Sequence, residues 1–363
     1  MRIAIDLTSL SYHLTGIERY AMGVTDKMID LDKKNEYVLI FRKDIHPLFK
    51  DRIDGNRVKS LILYGENKLY FMQIVLARAL WKIIADYYIF FAFPSPVMFR
   101  KKRIINTIHD MGAWDSSDQM KGLAKYYFRI SYRNATQISD RIITVSNFSK
   151  QRIMKILNID ESRVSVINSA VYSGIDLSKS KGLNYDLIKK RYKLPNKYIM
   201  TLSTLEPRKN MKILLEAFDH IADKVDYDVV LVGRKGWKID DLLDKYASKS
   251  RVHITGFVED NHLSLVYRNA LCFVFPSLYE GFGLPPVEAL SLGVPVVSSD
   301  AASLPEILMS QAVYFQSNNI NQLEKILLDL EINIKTMPRG FNEFQTENYN
   351  FETAALKVID LIK

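Results

Sequence analysis

Two series of short, continuously apolar, β-branched runs alternate with helix-patterned stretches along this chain, and few folds accommodate that pattern. In the first half the runs are RIAIDL, YVLIFR, VKSLIL, YYIFFAFP, RIINTIHD, RIITVS and VSVINS. Most lack the alternation that a strand with one wet face shows. Parallel strands read this way when helices cover both faces of their sheet. A polar segment, SGIDLSKSKGLNYD (173–186), reads as a linker. The pattern then restarts with YIMTLST, VVLVG, VHITG, LCFVFPS, VPVVSS and AVYFQ, with helical stretches such as MKILLEAFDHIAD between. The expectation is an α/β protein of two Rossmann-like, doubly wound domains facing a central cleft. A chain of 363 residues suits two units of about 150–200 residues each. The expected boundaries are 1–175 for the N-terminal domain and 176–345 for the C-terminal one. A last helix over 346–363, FETAALKVIDLIK with apolar residues at helical spacing, is expected to pack back on the N-terminal domain.

Composition narrows the class. A hydrophobic content of 48% with 25% charged residues is that of a soluble globular protein. The longest apolar stretch, 71–93, is interrupted by Arg78, Lys82 and Asp86, so it reads as an amphipathic helix followed by a buried strand. MRIAIDLTSL alternates like a strand and lacks the long apolar core of a signal peptide. One cysteine, Cys272, in the apolar run ALCFVF, excludes a disulfide framework and points to a reducing compartment. The net charge of +9 is uneven: residues 1–175 carry 27 Lys/Arg against 17 Asp/Glu, and residues 176–363 carry 23 against 24. The clusters FRKKR (99–103) and Arg78/Lys82 favour an anionic membrane surface as partner of the first half. The chain lacks the interleaved aromatic and basic residues of a nucleic-acid platform, so no nucleic acid is expected.

In doubly wound sheets, ligands lie beyond the carboxyl ends of the strands, so residues that follow strands carry the chemistry. LYEGFGLPPVEAL (278–290) follows one of them. Gly281 and Gly283 permit tight backbone and close ligand approach. Pro285 and Pro286 suit a helix start, with Glu288 about one turn inside. The loop and helix start would form an anion-binding end, with Glu280 before it to bond ligand hydroxyls. This is the layout of a sugar nucleotide, although a capped helix with two surface glutamates has the same spacing. TLEPRKN (204–210) places Arg208 and Lys209 at a turn after a strand, where cations could neutralise a diphosphate. LTGIERY (14–20) puts Gly16 before a helix, and no G-x-G-x-x-G is present, which disfavours a nicotinamide site. His109 and Asp110 end the run INTIHD, either facing a ligand or as a structural histidine. DYD (226–228) has the form of a metal-binding Asp-x-Asp, but it precedes its strand and so lies at the end opposite the cleft. No metal is expected.

SLYEGFGLPPVEALSLGVPVVSSD, with TLEPRKN, VGRKGW and TGFV in order before it, resembles the donor-binding half of retaining family 4 glycosyltransferases of the GT-B fold. TGIERY, IHD and ITVSNFSK extend the resemblance through the first half. The form LEPRKN with GRKGW is similar to the mannosyltransferases of polysaccharide and O-antigen assembly. The resemblance implies that Glu280 holds hydroxyls of the donor sugar, and that backbone amides of Gly281, Phe282, Gly283 and Leu284 reach sugar and phosphate. It implies that Glu288 holds the ribose, that Arg208 and Lys209 bind the diphosphate and assist its departure, and that Gly16 lies against the phosphates. His109 would lie by the transferred sugar, with Phe257 and Val258 near the base. Many family members read G-R-L where this chain has Ser203-Thr204-Leu205, so the usual arginine is absent at Thr204, and the sequence leaves open whether Arg208 replaces its charge.

The implied activity is hexosyl transfer with retention, from a nucleotide-sugar with GDP-mannose favoured. The acceptor would be a glycan or lipid-linked, in capsule or lipopolysaccharide assembly at the inner face of the plasma membrane. No cofactor or metal is expected. A sugar-nucleotide epimerase of the same fold and a non-catalytic membrane- or nucleic-acid-binding relative are the alternatives.

Overall fold

The computed structural model describes residues 1–11, 14–120, 122–171, 182–247 and 249–363. Of the expected linker, 173–181 lies outside the described residues, and Tyr185 and Asp186 already belong to the helix Tyr185–Tyr192. The chain divides into two compact units. One is Met1–Ala170 together with Glu347–Lys363, and the other is Val171–Thr346. The first unit carries 29 Lys/Arg against 20 Asp/Glu and the second 21 against 21, so the whole positive excess belongs to the first.

The N-terminal unit is built on seven parallel strands: β1 (Arg2–Asp6), β2 (Glu36–Arg42), β3 (Val58–Leu63), β4 (Tyr87–Phe90), β5 (Ile104–Thr107), β6 (Arg141–Thr144) and β7 (Val164–Val166). Their order is β3-β2-β1-β4-β5-β6-β7. The C-terminal unit has six parallel strands: β8 (Tyr198–Leu202), β9 (Asp228–Val232), β10 (Val252–Gly256), β11 (Cys272–Phe275), β12 (Val296–Ser299) and β13 (Ala312–Phe315). Their order is β10-β9-β8-β11-β12-β13. Two Rossmann-like α/β units are thus present, as the strand runs predict. Each sheet is wound outward from a central pair, β1/β4 and β8/β11. These pairs are the topological switch points, where successive loops diverge and leave a crevice.

Burial explains the sequence pattern. Every residue of β5, β11 and β12 is buried, whereas the edge strands β3 and β10 are partly exposed. Cys272 is buried in β11, and burial pushes its thiol up to about 12, so it is a packing residue. The stretch from 68 becomes a helix to Lys82, whose residues Phe71–Leu76 are π-helical, followed by the buried β4. Among the described residues no helix is long and apolar enough to cross a membrane. The C-terminal helix Phe351–Leu361, capped by Asn350, packs on the helix Gly16–Leu31 within the N-terminal unit. Gly23 makes room for it: a Cβ there would lie 2.5 Å from the Phe351 ring.

Candidate active site

The loops that leave β8, β9 and β10 at their carboxyl ends are laced together. Ser203 N donates to Val232 O at 3.1 Å, Leu205 N to Arg234 O at 2.8 Å, Gly236 N to Leu205 O at 2.8 Å and Gly233 N to Gly256 O at 2.9 Å. Gly233 is at φ +130°, and a Cβ there would sit 1.8 Å from the Ser203 carbonyl oxygen. The glycine of VGRKGW therefore lets the β9 loop support the β8 loop. The supported loop forms a 3-10 turn, Pro207–Lys209, and ends at Asn210 in the left-handed region with φ 54°. The helix Met211–Ile221 follows. The loop after β11 closes onto this turn: Leu278 N donates to Arg208 O at 2.9 Å, and Ser277 Oγ donates to it at 3.3 Å.

This lacing brings Arg208, Lys209 and Glu280 together at the β8/β11 switch point. Lys209 Nζ lies 2.5 Å from Glu280 Oε1. Ser277 Oγ donates to the same oxygen at 2.6 Å. Arg208 Nη1 donates to Tyr279 O at 2.6 Å and to Glu280 Oε2 at 3.3 Å. The other edge of its guanidinium faces Glu206, with Nε at 3.2 Å and Nη2 at 3.1 Å from Oε1. Ser303 Oγ donates to the Glu280 carbonyl at 3.0 Å, and Lys209 Nζ stands 5.4 Å from the centre of the Phe275 ring. Glu206, Lys209 and Glu280 are buried.

Electrostatics follows from this packing. Burial pushes the Glu280 carboxyl up, but the Lys209 and Arg208 charges and the bonds from Lys209 and Ser277 outweigh it. The carboxyl is held below its ordinary range. Burial and the adjacent Arg208 charge press Lys209 below the ordinary lysine value, against the pull of Glu280. The result is two cations fixed in place by two carboxylates at a buried strand end.

The remaining candidates fall as follows. The helix Leu284–Ser291 starts behind Gly283, at φ +92°, and Glu288 inside it is 2% exposed. Tyr267 Oη donates to Glu288 Oε2 at 3.3 Å and to Pro285 O at 3.2 Å. Both glutamates of LYEGFGLPPVEAL are therefore interior groups, which removes the surface-glutamate alternative. Pro285 and Pro286 have no N–H, so an anion at this helix end meets amides of the preceding loop, Gly281 to Leu284, more than those of the first turn. After β10, Val258 is buried, while Phe257 is partly exposed with the Arg234 guanidinium 4.7 Å from its ring centre.

Gly16 and His109 belong to the N-terminal unit. Gly16 opens its helix behind Thr15, whose N–H donates to Glu18 Oε2 at 2.7 Å. A carboxylate thus caps the end expected to meet phosphate. His109 Nε2 lies 2.8 Å from Phe91 O, and Tyr20 meets the ring edge-on at 5.3 Å. A carbonyl only accepts, so Nε2 carries the proton and Nδ1 the lone pair. Burial pushes the imidazole below its ordinary value, which keeps it neutral near pH 7.

Glu206, Ser277, Ser303 and Tyr267 were not among the residues expected from sequence. The signal for the first two was proximity: Glu206 stands two residues before Arg208 and Ser277 three before Glu280. The Asp-x-Asp at 226–228 is engaged at the amino end of β9. Asp226 pairs with Lys197 at 2.6 Å, and Asp228 with Arg251 at 3.0 Å and His253 at 2.7 Å. A second, Asp30 to Asp32, is engaged likewise: Asp30 pairs with Arg52 at 2.5 Å, and Asp32 accepts from Tyr37 Oη at 2.7 Å.

Two parallel doubly wound α/β units are the architecture of the GT-B fold. Residues 14–179 match the family described as Glycosyltransferase Family 4, and residues 186–340 match Glycosyl transferases group 1. The chain is a glycosyltransferase of the family 4 type, similar to mannosyltransferases. It is 27% identical to O-antigen chain mannosyltransferase B of Escherichia coli over 345 residues, covering 90% of each chain. It is 28% identical to O-antigen chain mannosyltransferase RfbU of Salmonella typhimurium over 251 residues, covering 68% of this chain and 65% of RfbU. In fold it matches Anabaena HepE, a structure in complex with UDP and glucose, with a TM-score of 0.70 over 100% of this chain and 99% of HepE at 15% identity.

Proposed function

We infer that this glycosyltransferase moves mannose from GDP-mannose to a glycan or lipid-linked acceptor in surface polysaccharide assembly, with retention and without a metal. The observation that carries the reading is the buried Arg208–Lys209–Glu280 cluster at the β8/β11 switch point. The O-antigen mannosyltransferases among the relatives support the sugar and the pathway class. The acceptor is presented at the inner face of the plasma membrane.

Chemistry follows from the charges. The bond between the sugar's anomeric carbon and the phosphate oxygen breaks, and its electron pair leaves on the diphosphate. Positive charge builds on the sugar and negative charge on the leaving group. Arg208 and Lys209 receive that negative charge in fixed positions, so the protein reorganises little at the moment of reaction. Glu280 keeps both cations aimed and offers its remaining lone pairs to sugar hydroxyls. Glu288 takes the ribose, Gly281 to Leu284 supply backbone donors, and Phe257 and Val258 flank the base. The acceptor oxygen bonds to the anomeric carbon on the face the diphosphate leaves. Its proton passes to a leaving phosphate oxygen, so the chain needs no carboxylate nucleophile.

The test begins with thermal shifts against GDP, UDP, dTDP and their hexose conjugates. Ligand at 100 times its dissociation constant adds about 2.7 kcal/mol of stability. A shift with GDP-mannose, followed by transfer giving the α-linked product by NMR, is the expected result. A shift with UDP-sugars alone would overturn the donor, and a β-linked product would overturn retention.

A further inference from the structure

Asp6 and Asp32 are each 8% exposed, yet their surroundings differ. Asp32, at the end of the helix Gly16–Leu31, accepts from Tyr37 Oη at 2.7 Å, Asn35 Nδ2 at 2.6 Å, Lys34 N at 3.0 Å and Asn35 N at 3.2 Å. A structural carboxylate offsets its lost water in this way. Asp6 ends β1, and Thr8 is its only hydrogen-bond partner among the described residues, with Thr8 N donating to Oδ1 at 3.0 Å. No cation among the described residues pairs with it. Burial pushes its carboxyl up to about 6, so the charged form costs stability at neutral pH. A group that costs stability persists where it serves function.

Its place in the sheet says which function. Asp6 stands in register with Ile40 of β2 and Phe90 of β4, at the carboxyl end of the β1/β4 switch point, where sheets of this kind bind ligands. Strand alternation puts it on the face of Ala4, and Ala4, Ile40 and Phe90 share one apolar cluster with Phe71 and Leu80. The carboxylate therefore borders an apolar layer with one oxygen bonded to Thr8 and the other open to a donor. The turn that follows is closed by Leu10 N, which donates to Leu7 O at 3.1 Å. Within it, Ser9 Oγ is buried and has no hydrogen-bond partner among the described residues. No group of three or more metal-ligating side chains is found among the described residues, so these groups do not form a metal cage.

We propose that Asp6 is an acceptor-binding residue, whose open carboxylate oxygen takes a hydrogen bond from a hydroxyl of the acceptor sugar. A carboxylate without a counter-ion repels a diphosphate, so the donor's charged end is excluded as its partner. A neutral hydroxyl supplies the missing donor, and the bond is charge-assisted in a site shielded from water. A sugar that lacks this hydroxyl, or turns it away, leaves the carboxylate without its donor again and is rejected. That the hydroxyl belongs to a transfer acceptor rests on the preceding reading.

Asp6→Asn in the full chain tests it, because Asn keeps the shape and the bond from Thr8 N but loses the charge. Octyl glycosides of mannose, galactose, glucose and N-acetylglucosamine serve as acceptor probes, with GDP-mannose as donor. For the probe the parent uses best, Asp6→Asn is expected to lower the acceptor kcat/KM by about ten- to a hundred-fold, the effect of one hydrogen bond to a charged group. The thermal midpoint at neutral pH should rise, while the GDP-mannose thermal shift and the KM for GDP-mannose stay those of the parent. Parent-like acceptor kcat/KM in the variant overturns the proposal. A lowered midpoint would make Asp6 structural, and a weakened GDP-mannose shift would move it to the donor; either overturns the proposal too. So does a parent that shifts with GDP-mannose but transfers to none of the four probes. A parent that neither shifts nor transfers would sink the preceding reading, which is a different result.

Discussion

The two sheets share a winding plan and differ in what leaves their switch points. At β8/β11 the chain places Glu206, Arg208, Lys209 and Glu280, four charged groups paired with one another. At β1/β4 it places Asp6, whose carboxyl burial pushes up to about 6, and the Phe90–Phe91 pair whose carbonyl side holds a neutral His109. One end carries two cations paired with two carboxylates; the other carries a single buried carboxylate and a neutral imidazole. The backbone supplies the same crevice twice, and the few residues after each strand decide its chemistry.

The sharpest break of that contrast is removal of one charge from the β8/β11 cluster. Lys209→Ala and Glu280→Ala are each expected to lower kcat by ~10²–10³-fold. Because the pair is buried, each also leaves an uncompensated charge and costs about 3–5 kcal/mol of stability. The pair replaced together, Lys209→Met/Glu280→Leu, separates the two effects. Its thermal midpoint should recover towards the parent while turnover stays lost. Recovered turnover in the double variant would show that the charges act on folding alone.

Gly233→Ala attacks the same cluster from beneath. The added Cβ meets the Ser203 carbonyl in a backbone conformation that L side chains rarely adopt. A loss of more than ~3 kcal/mol in denaturant unfolding is expected, from strain and overpacking together. Wild-type stability in this variant would mean the β8 and β9 loops are not held together as described.

Asp6 sharpens the comparison through pH. Its carboxyl moves from 3.8 to about 6 on folding, mainly by burial. Between those values the folded chain binds more protons than the unfolded one, so stability falls as pH rises through about 4 to 6 and then levels off. Asp6→Asn should remove that fall and raise stability by up to ~3 kcal/mol above pH 6, with no gain near pH 4. The thermal midpoint measured against pH reads this directly, and parallel curves for parent and variant would contradict the burial.

Much of this was legible in the sequence, for physical reasons. Runs such as LCFVF read as parallel strands because a strand covered on both faces needs no polar alternation. Glu280 and Glu288 stood out because carboxylates in a Gly- and Pro-rich strand-to-helix turn have few structural uses. Their burial did not show. It depends on Lys209 and Tyr267, which the chain brings up from 71 and 21 residues away. Glu206 and Ser277 stand only two and three residues from Arg208 and Glu280, but spacing along a loop does not reveal which side chains face one another.

The smallest expected effect concerns metal. A divalent ion in a glycosyltransferase would neutralise the departing diphosphate, a role that the proposed function gives to Arg208 and Lys209. Both Asp-x-Asp stretches are already paired to basic or hydroxyl partners, Asp226 and Asp228 at the amino end of β9, away from the cluster. Releasing them would break ion pairs with Lys197, Arg251 and Arg52 and the contact with His253. EDTA should therefore change the initial rate of transfer less than about two-fold, below the tenfold that 1.4 kcal/mol of lost transition-state stabilisation brings. Complete loss of turnover in EDTA, restored by Mg²⁺ or Mn²⁺, would show that the two cations are insufficient.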